Sequence, residues 1–273
     1  MTTASRHRAW AELDIGPLWV PKQKPERLLP PDAPVPGGRP GDGAPAVVPD
    51  PPAEPCQARD DDDDRDDRDD RDDRDDRDDR DDRDACWQRL REQVAGCRRC
   101  GLCETRRHTV FGSGPQTARW MLIGEAPGAE EDASGEPFVG QAGRLLDQML
   151  AAIGLDRQSD VFIANVLKCR PPGNRNPEAL EAETCSGYLH EQILLLRPTL
   201  ILLLGRFAAQ SVLNTDATIA SLRGRVHRYR RAGADIPVVC TYHPAYLLRN
   251  LPDKRKSWED LCLALAQQPP VES

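Results

Sequence analysis

The sequence predicts an α/β fold, in which a central, mainly parallel four-stranded sheet lies between two layers of helices and follows a disordered amino-terminal extension. Short apolar runs alternate with amphipathic segments after residue 120, whereas the first 84 residues lack the apolar content of a globular domain. Strands that are apolar on both faces and separated by helices are typical of a three-layer α/β/α sandwich. The chain after residue 84 is long enough to bury such a core.

The chain divides into three predicted regions. Residues 29–84 form a predicted disordered linker, rich in Pro, Gly and Ala and then containing only Arg and Asp from residue 59 onward. Residues 85–273 form the predicted folded domain. Residues 1–28 precede the linker, and their stretch 10–19 holds two of the five tryptophans. Apolar anchors on a short tethered segment are typical of docking motifs, and packing on the chain's own domain is the alternative.

The formal net charge of −8 is dominated by the linker. Residues 59–84 hold 8 Arg and 18 Asp, so the rest of the chain carries a net charge of +2, which does not exclude a polyanionic substrate. The sequence contains neither a signal-peptide pattern nor an apolar run of the ~18–20 residues that span a membrane. We therefore expect a cytoplasmic protein with no membrane contact, whose nine cysteines are metal ligands or buried thiols.

The predicted elements follow one another in strand–helix order. The predicted strands are the apolar runs 120–123, 161–164, 200–204 and 238–242. A helix between the first two strands is indicated by apolar residues at helical spacing, namely Leu145, Leu146, Met149, Leu150 and Ile153. The next helix is predicted to start at Asn176, Pro177 and Glu178 and to end near Arg197. The last helix carries Trp258, Leu261, Cys262 and Leu265.

Polar residues or glycines come directly after each predicted strand. These are Gly124 with Glu125, then Asn165, Gly205 and His243. In open parallel sheets, ligands bind beyond the carboxyl ends of the strands. We therefore expect these positions to converge on one crevice, which is the predicted active site.

Three loop motifs and a cysteine spacing point to one family. The motifs are Gly-Glu-Ala-Pro-Gly-Ala-Glu-Glu-Asp from residue 124 with Gly-Glu-Pro-Phe-Val-Gly from 135, Asn-Val-Leu-Lys-Cys-Arg-Pro-Pro-Gly-Asn-Arg from 165, and Thr-Tyr-His-Pro-Ala-Tyr-Leu-Leu-Arg from 241. Cysteines lie at positions 97, 100, 169 and 185. Together they resemble the family 4 uracil-DNA glycosylases, over about residues 97–265. The resemblance implies the uracil-DNA glycosylase fold for residues 85–273.

The resemblance also implies a cofactor. From spacing alone, four thiolates suit either zinc or a [4Fe–4S] cluster. The resemblance implies a [4Fe–4S] cluster with Cys97, Cys100, Cys169 and Cys185 as ligands. Cys103 extends the run to a second Cys-x-x-Cys, but the family pattern has an ordinary residue there. Cys56 and Cys86, in or beside the linker, are expected to be free thiols.

The implied activity is hydrolysis of the N-glycosidic bond of deoxyuridine in DNA, which releases uracil and begins base excision repair. A base inside a duplex is unreachable, so the nucleotide must be flipped into a pocket. The implied uracil-binding residues are Gly124, Glu125, Ala126, Phe138, Asn165 and His243. The implied catalytic residues are His243, Glu125 and Glu131.

Each implied role has a physical reason. Phe138 is expected to stack on the base, or else to be a core aromatic residue. Asn165 offers a donor and an acceptor that match uracil O4 and N3–H and mismatch cytosine. His243 is expected to stabilise the negative charge that develops on uracil O2. The chain has Ala126 where better-known relatives place a water-activating aspartate, so the nearby carboxylates Glu125, Glu131 and Asp132 are the candidates for positioning water.

Several residues are predicted to contact DNA. Leu247 and Leu248 with Arg249 are expected to fill the gap left by the flipped base. Arg223 and Lys254 lie in basic stretches that suit phosphate contacts, or else form a solvated face. The expected partners are uracil-containing DNA and, through residues 10–19, a replication or single-strand-binding protein. We expect a monomer.

Two other functions stay open at this point. One is a non-catalytic iron–sulfur module that binds DNA, against which Asn165 and His243 argue. The other is a glycosylase variant that becomes covalently trapped on the abasic product. The histidine-bearing insertion that such a variant needs after the second motif is absent from this sequence.

Overall fold

The computed structural model describes residues 72–267 of the 273-residue chain. The predicted docking segment at residues 1–28 and the first part of the predicted linker at residues 29–84 lie outside the described residues. Within residues 72–267, none of the helices is both long and apolar enough to cross a membrane.

The elements alternate between helix and strand after residue 120. The helices are α1 (Asp72–Gly96), α2 (Ala129–Ser134), α3 (Gln141–Ala152), α4 (Ala179–Leu196), α5 (Arg206–Leu213), α6 (Ile219–Leu222), α7 (Pro244–Arg249) and α8 (Lys254–Leu265). The strands are β1 (Trp120–Gly124), β2 (Val161–Asn165), β3 (Leu200–Leu204), β4 (Val226–Arg231) and β5 (Ala234–Thr241). Short 3-10 helices lie at Gly101–Glu104, Pro172–Asn174 and Leu251–Asp253.

The strands form one sheet in the order β2-β1-β3-β5-β4. Strands β1, β2, β3 and β5 are parallel, which confirms the four predicted strands. Strand β4 is a fifth, antiparallel strand that the sequence did not predict. Only Tyr229 of β4 is buried, so this polar edge strand has no apolar run to reveal it.

Helices cover both faces of the sheet and form the predicted three-layer sandwich. One core lies between the sheet and α1, α4 and α5, and includes Leu90, Ile193 and Ala208. The other lies between the sheet and α3, α7 and α8, and includes Met149 and Leu261. Alternate residues of each parallel strand enter one core or the other, because successive side chains of a strand point to opposite faces.

Two predicted boundaries differ from the structure. Helix α1 begins at Asp72 rather than after the linker's predicted end at residue 84. Helix α4 begins at Ala179 instead of at residues 176–178.

The later start of α4 has a local cause. The side chain of Arg175 donates to both carboxylate oxygens of Glu181, at 2.9 and 2.6 Å. The backbone N–H of Glu178 donates to the same carboxylate at 2.9 Å. These bonds to Glu181 hold the segment before α4 in an extended conformation and cap the helix at Glu178.

Trp87 anchors α1 on the sheet, and its replacement by alanine tests whether the folded domain begins here. The ring is 1% exposed and lies 5.3 Å from the ring of Phe162 and 5.9 Å from that of Phe111. We expect Trp87→Ala to lower the free energy of unfolding by ~3–5 kcal/mol, measured by chemical denaturation. Gln88→Ala, at an exposed neighbouring position, is the control. Equal stabilities of the two variants would contradict the prediction.

Candidate active site

A cleft of about 800 Å³ opens at the edge where the parallel strands end. Glu125, Asn165, Gly205 and His243 all line it, at or directly after the ends of β1, β2, β3 and β5. The structure therefore brings together positions that lie more than a hundred residues apart in sequence. Of the other residues predicted from the motifs, Ala126, Glu131 and Phe138 line the cleft as well.

Asn165 places an unpaired amide oxygen at this cleft. The residue is 2% exposed, and its Oδ1 atom has no hydrogen-bond partner among residues 72–267. A Cβ atom at Gly124 would lie 2.3 Å from this oxygen, so only glycine leaves room beside it. A buried polar atom without a partner costs ~1–3 kcal/mol, which favours a ligand that donates an N–H here.

Phe138 and His243 form the aromatic part of the cleft. Their ring centroids are 5.5 Å apart, with an angle of 28° between the ring planes. Phe138 is 5% exposed and has a φ of 54°, which is uncommon for a residue other than glycine. Its ring borders the space beside Gly124. The arrangement suits a flat ligand that stacks on Phe138 and reaches Asn165.

The imidazole of His243 is held as a neutral donor. Its Nδ1 accepts a hydrogen bond of 3.1 Å from the backbone N–H of Ala245, so the proton of the neutral ring is on Nε2. Burial lowers the pKa of His243 to about 4, and the positive charge of Arg249 acts in the same direction. At neutral pH the ring is therefore uncharged and offers Nε2–H as a donor.

Glu125 and Glu131 have different surroundings. The Glu131 carboxylate accepts backbone N–H groups from Gly128 at 3.1 Å, Val139 at 3.1 Å and Gly140 at 3.3 Å. These bonds give Glu131 a role in organising the loop, in addition to its place at the cleft. Burial raises the pKa of Glu125, and the charge of Arg206 opposes this rise. Glu125 is thus the better candidate for positioning water.

Sequence reasoning missed several residues of the cleft. They are Asn174, Asn176, Arg206 and Tyr246. Arg206 directly follows Gly205, so its position after a strand was a usable signal. Asn174 ends a short 3-10 helix, Asn176 lies in the segment before α4, and Tyr246 lies on α7. No periodic pattern marks these positions as facing a site.

The four predicted cysteine ligands line one separate small cavity. Cys97 follows α1, Cys100 begins the next short helix, Cys169 lies in the loop after β2, and Cys185 lies on α4. Cys103 also borders this cavity. Cys86 is disulfide-bonded, contrary to the expectation of a free thiol, and is not among the residues that line the cavity.

The surroundings of these thiols suit a bound cationic group. Burial raises the pKa of Cys185 to about 11, and burial also raises the pKa values of Cys100 and Cys169, with a further rise from neighbouring thiolates. Four thiolates here therefore require a compensating positive charge. Arg106 already donates to Cys169 Sγ at 3.0 Å, and the backbone N–H of Lys168 donates to Cys185 Sγ at 3.4 Å.

As a type of donor, four cysteine sulfur atoms suit an iron–sulfur cluster or zinc. Within the described part of the chain, no group of three or more His, Cys, Asp or Glu side chains has the geometry to hold a metal ion.

Three of the five residues predicted to contact DNA do not have the expected exposure. Leu247 is 1% exposed and packs in the core, so it cannot fill a gap in DNA. Lys254 is 7% exposed, and the Arg223 side chain, 13% exposed, donates to the buried Asp260 at 3.0 Å. Arg223 is therefore engaged in an ion pair inside the protein, and Lys254 is buried. Leu248, 40% exposed, and the exposed Arg249 remain available at the surface.

The chain is similar to known proteins over most of the described residues. The sequence profile described as the uracil DNA glycosylase superfamily matches residues 111–264. A type-4 uracil-DNA glycosylase of Archaeoglobus fulgidus is 46% identical over 171 residues, which are 61% of this chain and 85% of the relative. Those of Pyrobaculum aerophilum and Thermotoga maritima are 39% and 41% identical, covering 64% and 58% of this chain and 91% and 81% of the relatives.

The charge state of His243 can be measured by NMR titration of its imidazole nitrogens. We expect a midpoint near pH 4, because burial penalises the charged ring, against about 6.5 for an unfolded histidine. The unfolded chain then binds a proton that the folded protein does not, so this site lowers stability as pH falls from about 6.5 towards 4. His190 has a similarly lowered pKa of about 4, so His243→Gln serves to assign the signal. A midpoint near 6.5 would contradict the prediction.

Proposed function

The chain belongs to the uracil-DNA glycosylase superfamily, and we propose that the cleft at its strand ends binds a flipped-out uracil. It is a DNA repair glycosylase that removes uracil, as the names of its type-4 relatives indicate. The observation that carries the proposed site is the buried, unpaired Oδ1 of Asn165. An acceptor in this position suits N3–H of uracil, which is the donor that cytosine lacks.

Base recognition in this proposal combines stacking with hydrogen bonding. Phe138 stacks on the face of the uracil, and Asn165 pairs with N3–H and O4 at its edge. Gly124 leaves the room that the amide and the ring of Phe138 both require. A cytosine would place an acceptor opposite Asn165 Oδ1 and leave buried polar atoms unpaired, which costs ~1–3 kcal/mol.

Catalysis in this proposal is mainly electrostatic. The bond between C1′ of the sugar and N1 of uracil breaks, and its electron pair moves onto the base. The neutral His243 donates Nε2–H towards uracil O2, together with backbone N–H groups around Glu125 and Ala126, and so stabilises the departing anion. Glu125 positions the water that adds to C1′ and takes up its proton.

The alternatives are less well supported. A non-catalytic DNA-binding module would not require the neutral donor His243 and the unpaired amide oxygen of Asn165 in the same cleft. A covalently trapped variant requires a histidine-bearing insertion after the second motif, and the segment from Pro172 to Asn174 is instead one short 3-10 turn. Hydrolysis is therefore the function that the cleft supports best.

We also propose a [4Fe–4S] cluster on Cys97, Cys100, Cys169 and Cys185. It is supported by the fact that all four cysteines line the same small cavity. The cluster, when bound, would supply structural cross-linking, because its ligands come from three segments: the chain just after α1, the loop after β2, and α4. Docking through residues 10–19 and the monomeric state stay predictions.

Replacement of Asn165 by aspartate tests the proposed site. The change puts an acceptor opposite uracil O4, so we expect single-turnover release of uracil to fall by ~5- to 150-fold, equivalent to ~1–3 kcal/mol. We also expect release of cytosine to become detectable. The assay is cleavage of uracil- and cytosine-containing oligonucleotides resolved on a gel. Asn214→Asp, at the exposed carboxyl-terminal cap of α5, is the control. Absence of uracil release by the wild-type protein would refute the proposed function. Unchanged selectivity between uracil and cytosine in Asn165→Asp would show that Asn165 does not recognise the base.

Iron analysis and the visible spectrum test the cluster. We expect a brown protein with about four irons per chain. Replacing Cys185 by serine should remove most of the iron, because a buried ligand is lost. The matched change Cys103→Ser should leave colour and iron content unchanged. A colourless, zinc-loaded protein from anaerobic expression would contradict the proposal. Loss of iron in Cys103→Ser but not in Cys185→Ser would also contradict it.

A further inference from the structure

Phe138, the proposed stacking residue, has a backbone conformation that is unfavourable for a residue other than glycine. Its φ of 54° lies in the left-handed region, where a Cβ atom is crowded and where such residues persist only when their surroundings hold them. The direction of the ring depends on this backbone. The groups that hold it therefore decide where the aromatic face of the cleft lies.

Arg157 holds the carbonyl side of this segment. It lies in the loop between α3 and β2 and donates from Nη1 to the carbonyl oxygen of Phe138 at 2.7 Å. Its Nη2 donates to the carbonyl oxygen of Pro137. Asp147 on α3 accepts from the same guanidinium at 3.2 Å. The Arg157 side chain is 16% exposed, so these charge-assisted bonds are only partly in contact with solvent.

The opposite side of the segment is held as firmly. Glu131 accepts the backbone N–H groups of Val139 and Gly140, which follow Phe138 directly. Helix α3 also packs closely against the segment at Gly143. A Cβ atom at this position would lie only 1.8 Å from the carbonyl oxygen of Phe138. A cation on the carbonyls and an anion on the amides thus fix both ends of the strained residue.

We infer that Arg157 is a positioning residue for uracil binding, which acts by fixing the ring of Phe138. This inference rests on the proposed function of the cleft. Arg157 is not among the residues that line the cleft, whereas Phe138 is, so its effect passes through the backbone of Phe138. Without the guanidinium, the two carbonyls lose their donor and the segment can relax to a more favourable φ. The ring then leaves the plane that stacks on the base.

Arg157→Met tests the inference, because it keeps most of the side-chain length and removes the donors. Loss of one base–aromatic stack costs ~5- to 150-fold in binding. We expect Arg157→Met to raise the KM for a uracil-containing oligonucleotide and the inhibition constant of free uracil by about tenfold, with a smaller change in kcat. Arg144→Met, at an exposed position of α3, is the matched control and should leave both constants unchanged.

A double-mutant cycle separates positioning from a general effect on the fold. In a Phe138→Ala background there is no ring to position, so Arg157→Met should change the inhibition constant less than twofold. An equal, tenfold effect in both backgrounds would overturn the inference, as would a wild-type inhibition constant in folded Arg157→Met.

If Arg157→Met does not fold, Asp147→Asn replaces it in the same cycle. Asp147 is 48% exposed, and its replacement weakens the ion pair that orients Arg157. An inactive wild-type protein would refute the proposed function itself.

Discussion

The parallel pairing of four apolar strands is the constraint on which the rest of the structure depends. Strands β1, β2, β3 and β5 are buried on both faces along most of their length, so polar side chains are accommodated chiefly where the strands end. Parallel strands end at the same edge, and this edge becomes the cleft. The apolar walls also explain its electrostatics, because burial lowers the pKa of His243 and raises that of Glu125.

The parts of the fold that could be predicted are those encoded by local patterns. The runs before Gly124, Asn165 and Gly205 are continuous and apolar, and the residues after them carry the cleft. Strand β4 escaped prediction because it packs a single buried side chain, Tyr229. Contacts such as that of Arg157 with two carbonyls also escaped it, since hydrogen bonds between distant segments leave no periodic signal in the sequence.

The predicted DNA contacts show the same limit at the level of single side chains. The motif marks Leu247 and Leu248 alike, yet neighbouring residues of a helix point in directions about 100° apart. Helix α7 turns Leu247 into the core and leaves Leu248 at the surface. Arg223 and Lys254 lie in two separate basic stretches, but packing leaves neither side chain at the surface. Arg223 pairs with the buried Asp260 of α8, and Lys254, the first residue of α8, is 7% exposed. The basic residues therefore suggested a DNA-binding surface at two positions that the folded protein buries.

The cleft and the cysteine site share one buried segment. The ammonium of Lys168 donates to the carbonyl oxygen of Asn165 at 2.9 Å and to Gln192 at 2.6 Å, while its backbone N–H donates to Cys185 Sγ. Burial lowers the pKa of Lys168 to about 8, and the nearby thiolates of Cys185 and Cys169 oppose this change. These bonds fix the backbone of Asn165 and leave its side chain uncommitted. Because the backbone of Asn165 is already fixed, ligand binding loses little conformational entropy there. The unpaired Oδ1 is available to a donor in the cleft.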